Sequence, residues 1–123
     1  MRPMVRQKSG SLIYMSSVSA HGNPGQANYA SSKGALESFM RTTAMELASR
    51  GIRANAIAPG PVAETDMIDK LSDEVKATLL KEVPMSRFIT MQEVANTVLF
   101  LASDLSSGIT GSVIDVDGGM LRR

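Results

Sequence analysis

Gln26-Ala-Asn-Tyr29-Ala-Ser-Ser-Lys33-Gly-Ala-Leu36 opens the longest helix-compatible run of the chain and sets a phenol and an ammonium group four residues apart. Side chains at i and i+4 share a helix face, so Tyr29 and Lys33 stand one turn apart on the same side. Ser16 and Ser17 come 13 and 12 residues before Tyr29, at the end of an apolar run. A loop containing His21-Gly-Asn-Pro-Gly25 lies between. A hydroxyl, a phenol and an amine are thereby placed where one fold can bring them together. A bare Tyr-x-x-x-Lys also occurs in many helices as an exposed pair, so the surrounding stretches decide its meaning.

On the amino side, Ser11-Leu-Ile-Tyr-Met-Ser16 is short and largely apolar, bounded by Gly10 and polar residues. That is the pattern of a strand buried on both faces of a parallel sheet. Residues 1–8 before it are polar and basic, and Gly10 breaks the element they form. On the carboxyl side a helix is predicted from about Asn28 to Arg50, because Leu36, Met40, Ala44 and Leu47 follow the 3.6-residue period and Phe39 widens the stripe. Arg50 in the last turn and Gly51 beyond it are a stop signal.

Ile52 to Ala58 reads as a second strand, ended by Pro59-Gly-Pro61, which continues neither ladder nor helix. Strand, helix and strand in about 48 residues make a βαβ unit, a crossover that is right-handed in nearly all proteins. Residues 62–90 are polar, with one helix expected after Ser72, where Asp73 and Glu74 suit the positive end of the helix dipole. A connection of that length is often a lid over a site. Thr90-Met-Gln-Glu93 is a capping box opening a helix to about Ser103, buried through Val94, Val98 and Leu101. A third strand runs from Ser112 to Val116 and ends at Gly118-Gly119.

The pattern predicts an α/β fold: three strands in one parallel sheet with flanking helices, the second half of a doubly wound, Rossmann-like sheet. Ser17, Tyr29 and Pro59 then fall near the carboxyl ends of strands, where open α/β sheets bind ligands.

Composition narrows the function. The 123 residues suit one domain, and 43% of them are apolar, enough for a core. With 13 Lys+Arg against 12 Asp+Glu and no long basic run, neither nucleic acid nor an anionic membrane is the expected partner. The absence of cysteine removes disulfides and thiolate chemistry, and His21 alone builds no zinc site, so no metal is expected. The most apolar run, Val94 to Ala102, is shorter than the roughly 20 residues a bilayer span needs. The first residues lack a secretory apolar core. A cytoplasmic protein is expected, or one of an organelle matrix if a targeting segment lies upstream.

Four motifs occur in one order: Ile13-Tyr-Met-Ser-Ser17, Gly22-Asn-Pro-Gly-Gln-Ala-Asn-Tyr-Ala-Ser-Ser-Lys33, Arg50-Gly-Ile-Arg-Ala-Asn-Ala-Ile-Ala-Pro-Gly60 and Ile109-Thr-Gly-Ser-Val-Ile-Asp-Val-Asp-Gly-Gly119. Together they resemble the short-chain dehydrogenase/reductases, and most nearly the 3-oxoacyl-acyl-carrier-protein reductases. The resemblance covers essentially the whole chain but only half of the family's fold. Residues 1–123 therefore read as a single partial domain lacking the amino-terminal dinucleotide-binding half, with its glycine-rich turn and the asparagine of the proton relay.

The resemblance implies an oxidoreductase using NADP(H) in preference to NAD(H). Reducing a ketone leaves charge on oxygen, so a proton donor and a hydrogen-bonding group must meet that oxygen. Tyr29 fits the donor, since a neighbouring cation stabilises a phenolate and lowers a phenol's pKa from its ordinary value of about 10. Lys33 supplies that cation and, by resemblance, also holds the nicotinamide ribose. Ser17 is the matching serine that binds and orients the substrate carbonyl, with Ser16 the alternative because the loop before Tyr29 is one residue shorter than is usual in the family. By the same likeness Pro59, Gly60, Val62 and Thr65 line the nicotinamide, although one additional residue separates Val62 from Thr65.

Lys8 and Arg50 match basic residues offered to an acidic carrier protein, or are solvated helix-end charges. His21 reads as a surface loop residue. A small-molecule or carrier-bound substrate is implied, as is a homo-oligomer formed through the helix at 28–50 and the last strand. Two other readings stand beside this one: an inactive fragment that associates with a complete relative, and the same enzyme class acting on a sugar, a steroid or another small alcohol.

Overall fold

Three parallel strands, β1 (Gly10–Met15), β2 (Ile52–Pro59) and β3 (Val113–Val116), lie side by side in that order. The computed structural model describes residues 1–121. Register decides which side chains meet. Leu12 lies opposite Ala54, Tyr14 opposite Ala56, and Ala56 opposite Val113, all on one face. Against that face packs α2 (Ala27–Leu47), whose Met40 and Ala44 form the buried cluster with Ala54 and Ala56. Alanine on the strand lets the helix come close, and the flexible thioether of Met40 fills what remains.

The alternate residues face the other way. Ser11 and Arg53, paired across β1 and β2, both hold the carboxyl end of α5 (Met91–Ala102). Ser11 Oγ donates to the Leu101 carbonyl at 2.8 Å, and the Arg53 guanidinium donates to Leu101 O at 2.9 Å, Ser103 O at 3.1 Å and Ser106 Oγ at 2.9 Å. A cation there satisfies carbonyls that have no partner within the helix and opposes the negative end of its dipole. Asn55, fully buried, donates to Ile109 O at 2.9 Å and accepts from Ser112 N at 3.1 Å, fixing the entry to β3. Buried polar groups are tolerable only when bonded in this way.

The topology has a consequence for handedness. The strands follow one another in a single direction, yet α2 covers one face on the way from β1 to β2 and α5 the other on the way from β2 to β3. The two crossovers therefore have opposite hands, and one departs from the right-handed rule. Between β2 and α5 lie α3 (Asp66–Asp69) and α4 (Asp73–Lys81), a detour long enough to carry the chain around the sheet's carboxyl end.

Elements stand close to their expected positions, with four corrections. Gly10 begins β1 instead of breaking the preceding helix, α1 (Arg2–Gln7), which ends at Lys8 in the left-handed conformation. β1 is half-buried, because it is an edge strand here. Phe39 is 52% exposed and meets Tyr14 edge-on, ring centroids 5.9 Å apart, while Glu37 and Thr43 take buried places on α2. The short helix α3 was not anticipated. Gly51, with φ +73, closes the turn after α2 where any Cβ would strike the Lys8 carbonyl, so the predicted glycine stop is also a close approach.

Met40 carries the helix–sheet contact. Met40→Ala is expected to lower the unfolding free energy by about 2–5 kcal/mol, the cost of a cavity at a fully buried site. Urea titration followed by circular dichroism checks this; a loss below about 0.5 kcal/mol would deny Met40 that role.

Candidate active site

Sheet alternation continues past the end of β1 and separates the two serines. Ser16 N donates to Ile57 O at 2.7 Å, extending the ladder by one residue. Its side chain turns toward α2, where Oγ donates to Glu37 Oε1 at 2.8 Å and the residue is 5% exposed. Ser17, extended at φ −162 and ψ 153, turns the opposite way and lines a cavity of about 400 Å³. Ser17 Oγ accepts from Ser19 N at 3.1 Å, capping the short turn Val18–His21. Among the described residues its O–H meets no acceptor, so that proton is free to donate.

Tyr29 lies in the first turn of α2 and Lys33 in the next. Lys33 Nζ sits 5.7 Å from the centroid of the Tyr29 ring and donates to the Met15 carbonyl at 2.8 Å, which ties α2 to the end of β1. One of the ammonium's three N–H groups is used there. The Tyr29 hydroxyl has no hydrogen-bond partner among the described residues. Lys33 thus reaches the strand end that precedes Ser17, and Tyr29 lies beside Lys33 on the helix; of the three, only Ser17 borders the cavity.

Of the other expected site residues, Gly60 lines the cavity, and its amide donates to Val116 O at 3.0 Å. A Cβ on Gly60 would stand 2.9 Å from Asp117 Cα, so packing alone already requires glycine. Pro59 ends β2 opposite Val116. Val62 pairs in a single bridge with Ile89, and Thr65 Oγ1 donates to Val62 O at 2.8 Å, which holds that hydroxyl within its own turn. Pro59, Val62 and Thr65 do not border the cavity. Lys8 and Arg50 are exposed at the amino ends of β1 and β2, the edge of the sheet away from Ser17 and Gly60. His21 is exposed.

The far wall of the cavity is largely apolar, and it is built in part by the 62–90 connection expected to be a lid, although none of its residues is marked by a motif. Met67 and Ile68 come from α3, Leu79 from α4 and Leu71 from the turn between them, and Met120 and Leu121 come from beyond β3. Glu82, at the end of α4, is the one charged side chain of the wall among the described residues. Asp117 turns the last segment over the cavity: Oδ1 accepts from Gly119 N at 2.9 Å and Oδ2 from Leu121 N at 2.7 Å. The connection is fastened to α5 at Glu93. Arg87 donates to Glu93 Oε1 at 2.6 Å and to Oε2 at 2.9 Å, and Thr90 N donates to Oε2 at 2.8 Å. The capping box read from Thr90 and Glu93 is present with both of its bonds. The Arg87 hydrogen bonds, followed by that from the Thr90 backbone, pull the Glu93 carboxyl from 4.5 down to about 2. Among the described residues no group of three acidic or histidine side chains is placed to hold a metal ion. No helix among them is long and apolar enough to cross a membrane.

A half-sheet with Tyr and Lys one turn apart on the crossover helix, and a serine at the preceding strand end, defines a class. The family model described as Enoyl-(Acyl carrier protein) reductase matches residues 1–121, and the chain belongs to the short-chain dehydrogenase/reductases. Among curated proteins it is similar to the 3-oxoacyl-(acyl-carrier-protein) reductase FabG of Staphylococcus aureus strain Mu50, 52% identical over 118 residues, covering 95% of this chain and 48% of that protein. The reductase of the same name from Thermotoga maritima is 49% identical over 119 residues, covering 96% and 48%. That of Chlamydia muridarum is 48% identical over 120 residues, covering 97% and 48%. The chain spans about half the length of the curated relatives it matches.

Glu93 titrates lower when folded than its ordinary value of 4.5, so its contribution to stability is fully present above that value and is lost as pH falls toward 2. Both partners are exposed, which keeps the effect modest. Glu93→Gln is expected to lower the thermal midpoint at neutral pH, with the gap to the parent closing as pH approaches 2. A gap that persists unchanged at the acid end would show that the carboxylate charge is not the cause.

Proposed function

We propose that residues 1–123 form the carboxyl-terminal half of an NADP(H)-linked reductase that converts a 3-oxoacyl thioester, carried on an acyl carrier protein, to the 3-hydroxy form. The observation that carries the reading is the free O–H of Ser17 at the cavity, with Tyr29 and Lys33 on the adjoining helix. The relatives' shared name supports the substrate class, and the far wall, apolar apart from Glu82, suits an acyl chain. The preference for NADP(H) and a cytoplasmic location rest on the family resemblance.

The donor set fits a nicotinamide nucleotide. Lys33 keeps N–H groups beyond the one given to Met15, and with the Tyr29 hydroxyl it would hold the ribose hydroxyls. Gly60, at the cavity just beyond β2, would take the carboxamide side, and the family resemblance adds Pro59, Val62 and Thr65 around it. When bound, the cofactor supplies the hydride that goes to the carbonyl carbon. Ser17 donates a hydrogen bond to the carbonyl oxygen and fixes its direction. Tyr29 gives its proton to that oxygen as negative charge develops there, and Lys33 stabilises the phenolate left behind. Each substrate carbonyl thereby gains one hydride on carbon and one proton on oxygen.

Partners belong to the same proposal: a homo-oligomer through α2 and β3, supported by Phe39 at 52% and Met45 at 76% exposure on α2. A second reading, an inactive half associating with a complete relative, is favoured by the outer edge of β1, which has no strand partner among the described residues.

The test is a chimaera in which residues 1–121 replace the matching half of the Staphylococcus aureus reductase, beside the 123-residue chain alone. The chimaera is expected to oxidise NADPH with a 3-oxoacyl thioester, and the chain alone to show no turnover, since anchoring the hydride donor is part of the positioning that governs rate. Tyr29→Phe in the chimaera should lower turnover about 10²–10⁴-fold with NADPH affinity nearly unchanged, whereas Lys33→Ala should damage both. A folded but inactive chimaera, or a Tyr29→Phe variant with normal turnover, would overturn the reading.

A further inference from the structure

Glu37 is a buried carboxylate that the proposed chemistry does not use. It is 4% exposed, on α2 two turns beyond Tyr29 and one beyond Lys33. Tyr29, Lys33, Glu37 and Arg41 recur at every fourth residue, so they form one stripe along the helix. Two members of the stripe grip consecutive residues of the chain: Lys33 holds the Met15 carbonyl at 2.8 Å and Glu37 holds the Ser16 hydroxyl at 2.8 Å. Glu37 keeps its other oxygen on Arg41, at 3.1 Å, so the carboxylate is balanced where it lies.

We infer that Glu37 is a positioning residue for the Ser17 hydroxyl. It locks Ser16 toward α2, and because adjacent side chains of an extended chain point to opposite faces, that lock directs Ser17 into the cavity. Lys33 fixes the preceding peptide and the Ser16–Ile57 ladder bond fixes the backbone, leaving the side-chain bond to Glu37 as the contact that sets rotation about the strand axis. The Ser17 Oγ–Ser19 N bond then holds the cavity-facing oxygen in place and leaves its O–H available. Ser17's importance to catalysis rests on the proposed function, but its direction does not.

The test uses the 123-residue chain with the variants Ser16→Ala, Glu37→Ala, Glu37→Gln and Arg41→Ala, read by amide chemical shift and hydrogen exchange at Ser17 and Ser19. Ser16→Ala and Glu37→Ala are expected to shift both amides and to speed exchange at Ser19 at least about tenfold, a step of about 1.4 kcal/mol. Glu37→Gln, whose amide oxygen accepts from Ser16, should restore the parent pattern, and Arg41→Ala, which removes the balancing charge but keeps the Ser16 bond, should disturb both amides less than Glu37→Ala. In the chimaera, Glu37→Ala should lower kcat about tenfold and leave the KM for NADPH unchanged, the mark of a misdirected carbonyl donor. If the chimaera is inactive altogether, the functional reading fails while the amide measurements still decide the positioning role. Unshifted amides in folded Ser16→Ala and Glu37→Ala, or a Glu37→Gln variant no better than Glu37→Ala, would overturn it.

Discussion

Close packing of α2 on an alanine strip is the constraint from which the rest of this chain follows. Ala54 and Ala56 present no bulk beyond a methyl group, and Ala44 and Met40 meet them from the helix, all buried. At that separation Lys33 and Glu37 reach the strand end with 2.8 Å hydrogen bonds. Larger side chains on β2 would lift the helix, and such bonds weaken steeply with length and angle. The hydrophobic contact sets the distance, and the polar contacts at the carboxyl end convert it into orientation.

The sequence made element types legible because their signals are local. Helical periodicity, the Gly51 stop, the Thr90–Glu93 capping box and the Pro59-Gly60 terminator each depend on a few neighbouring residues. What it left hidden depends on register and partners. The stripe of Leu36, Met40, Ala44 and Leu47 pointed to the correct face, yet Glu37 is also buried because Ser16 and Arg41 meet it there, which no periodicity reveals. Hydrophobicity points Phe39 inward, but the face it extends ends at the edge strand β1 and the ring is left half exposed. The cavity wall was hidden for the same reason: Ile68, Leu79 and Leu121 lie far apart in sequence and meet only through the detour after β2.

That detour also explains how the sheet carries helices on both faces while its strand order runs one way. A short β2–α5 connection would place α5 on the face α2 already covers. Residues 60–90 instead cross the carboxyl end, where the Val62–Ile89 bridge and the Arg87–Glu93 pair fasten them, before α5 descends on the opposite face. The path that inverts one crossover thereby builds a wall above the strand ends. Arg53 and Ser11 secure the other end of α5 through the Leu101 carbonyl, so the wall hangs from a helix fixed at both ends.

Counting residues back from Tyr29 leaves two serines for one role, and the sheet separates them by parity. Leu12, Tyr14 and Ser16 share the α2 face, and Ser11 and Ser17 belong to the other. For Ser16 to serve the cavity, the strand end would have to turn over, breaking the Ser16–Glu37 bond and bringing Ser17 against the carboxylate. In a sheet that is a one-residue slip, which moves every side chain to the wrong face. Leu12 and Tyr14 would then leave the cluster of Met40, Ala44, Ala54 and Ala56. Loop length before Tyr29 can vary by one residue without disturbing any of this, because the loop lies outside the ladder. The core that packs against β1 sets the register, the Ser16–Glu37 bond carries it past the last core residue to the strand end, and the distance in sequence to Tyr29 is a consequence of loop length alone.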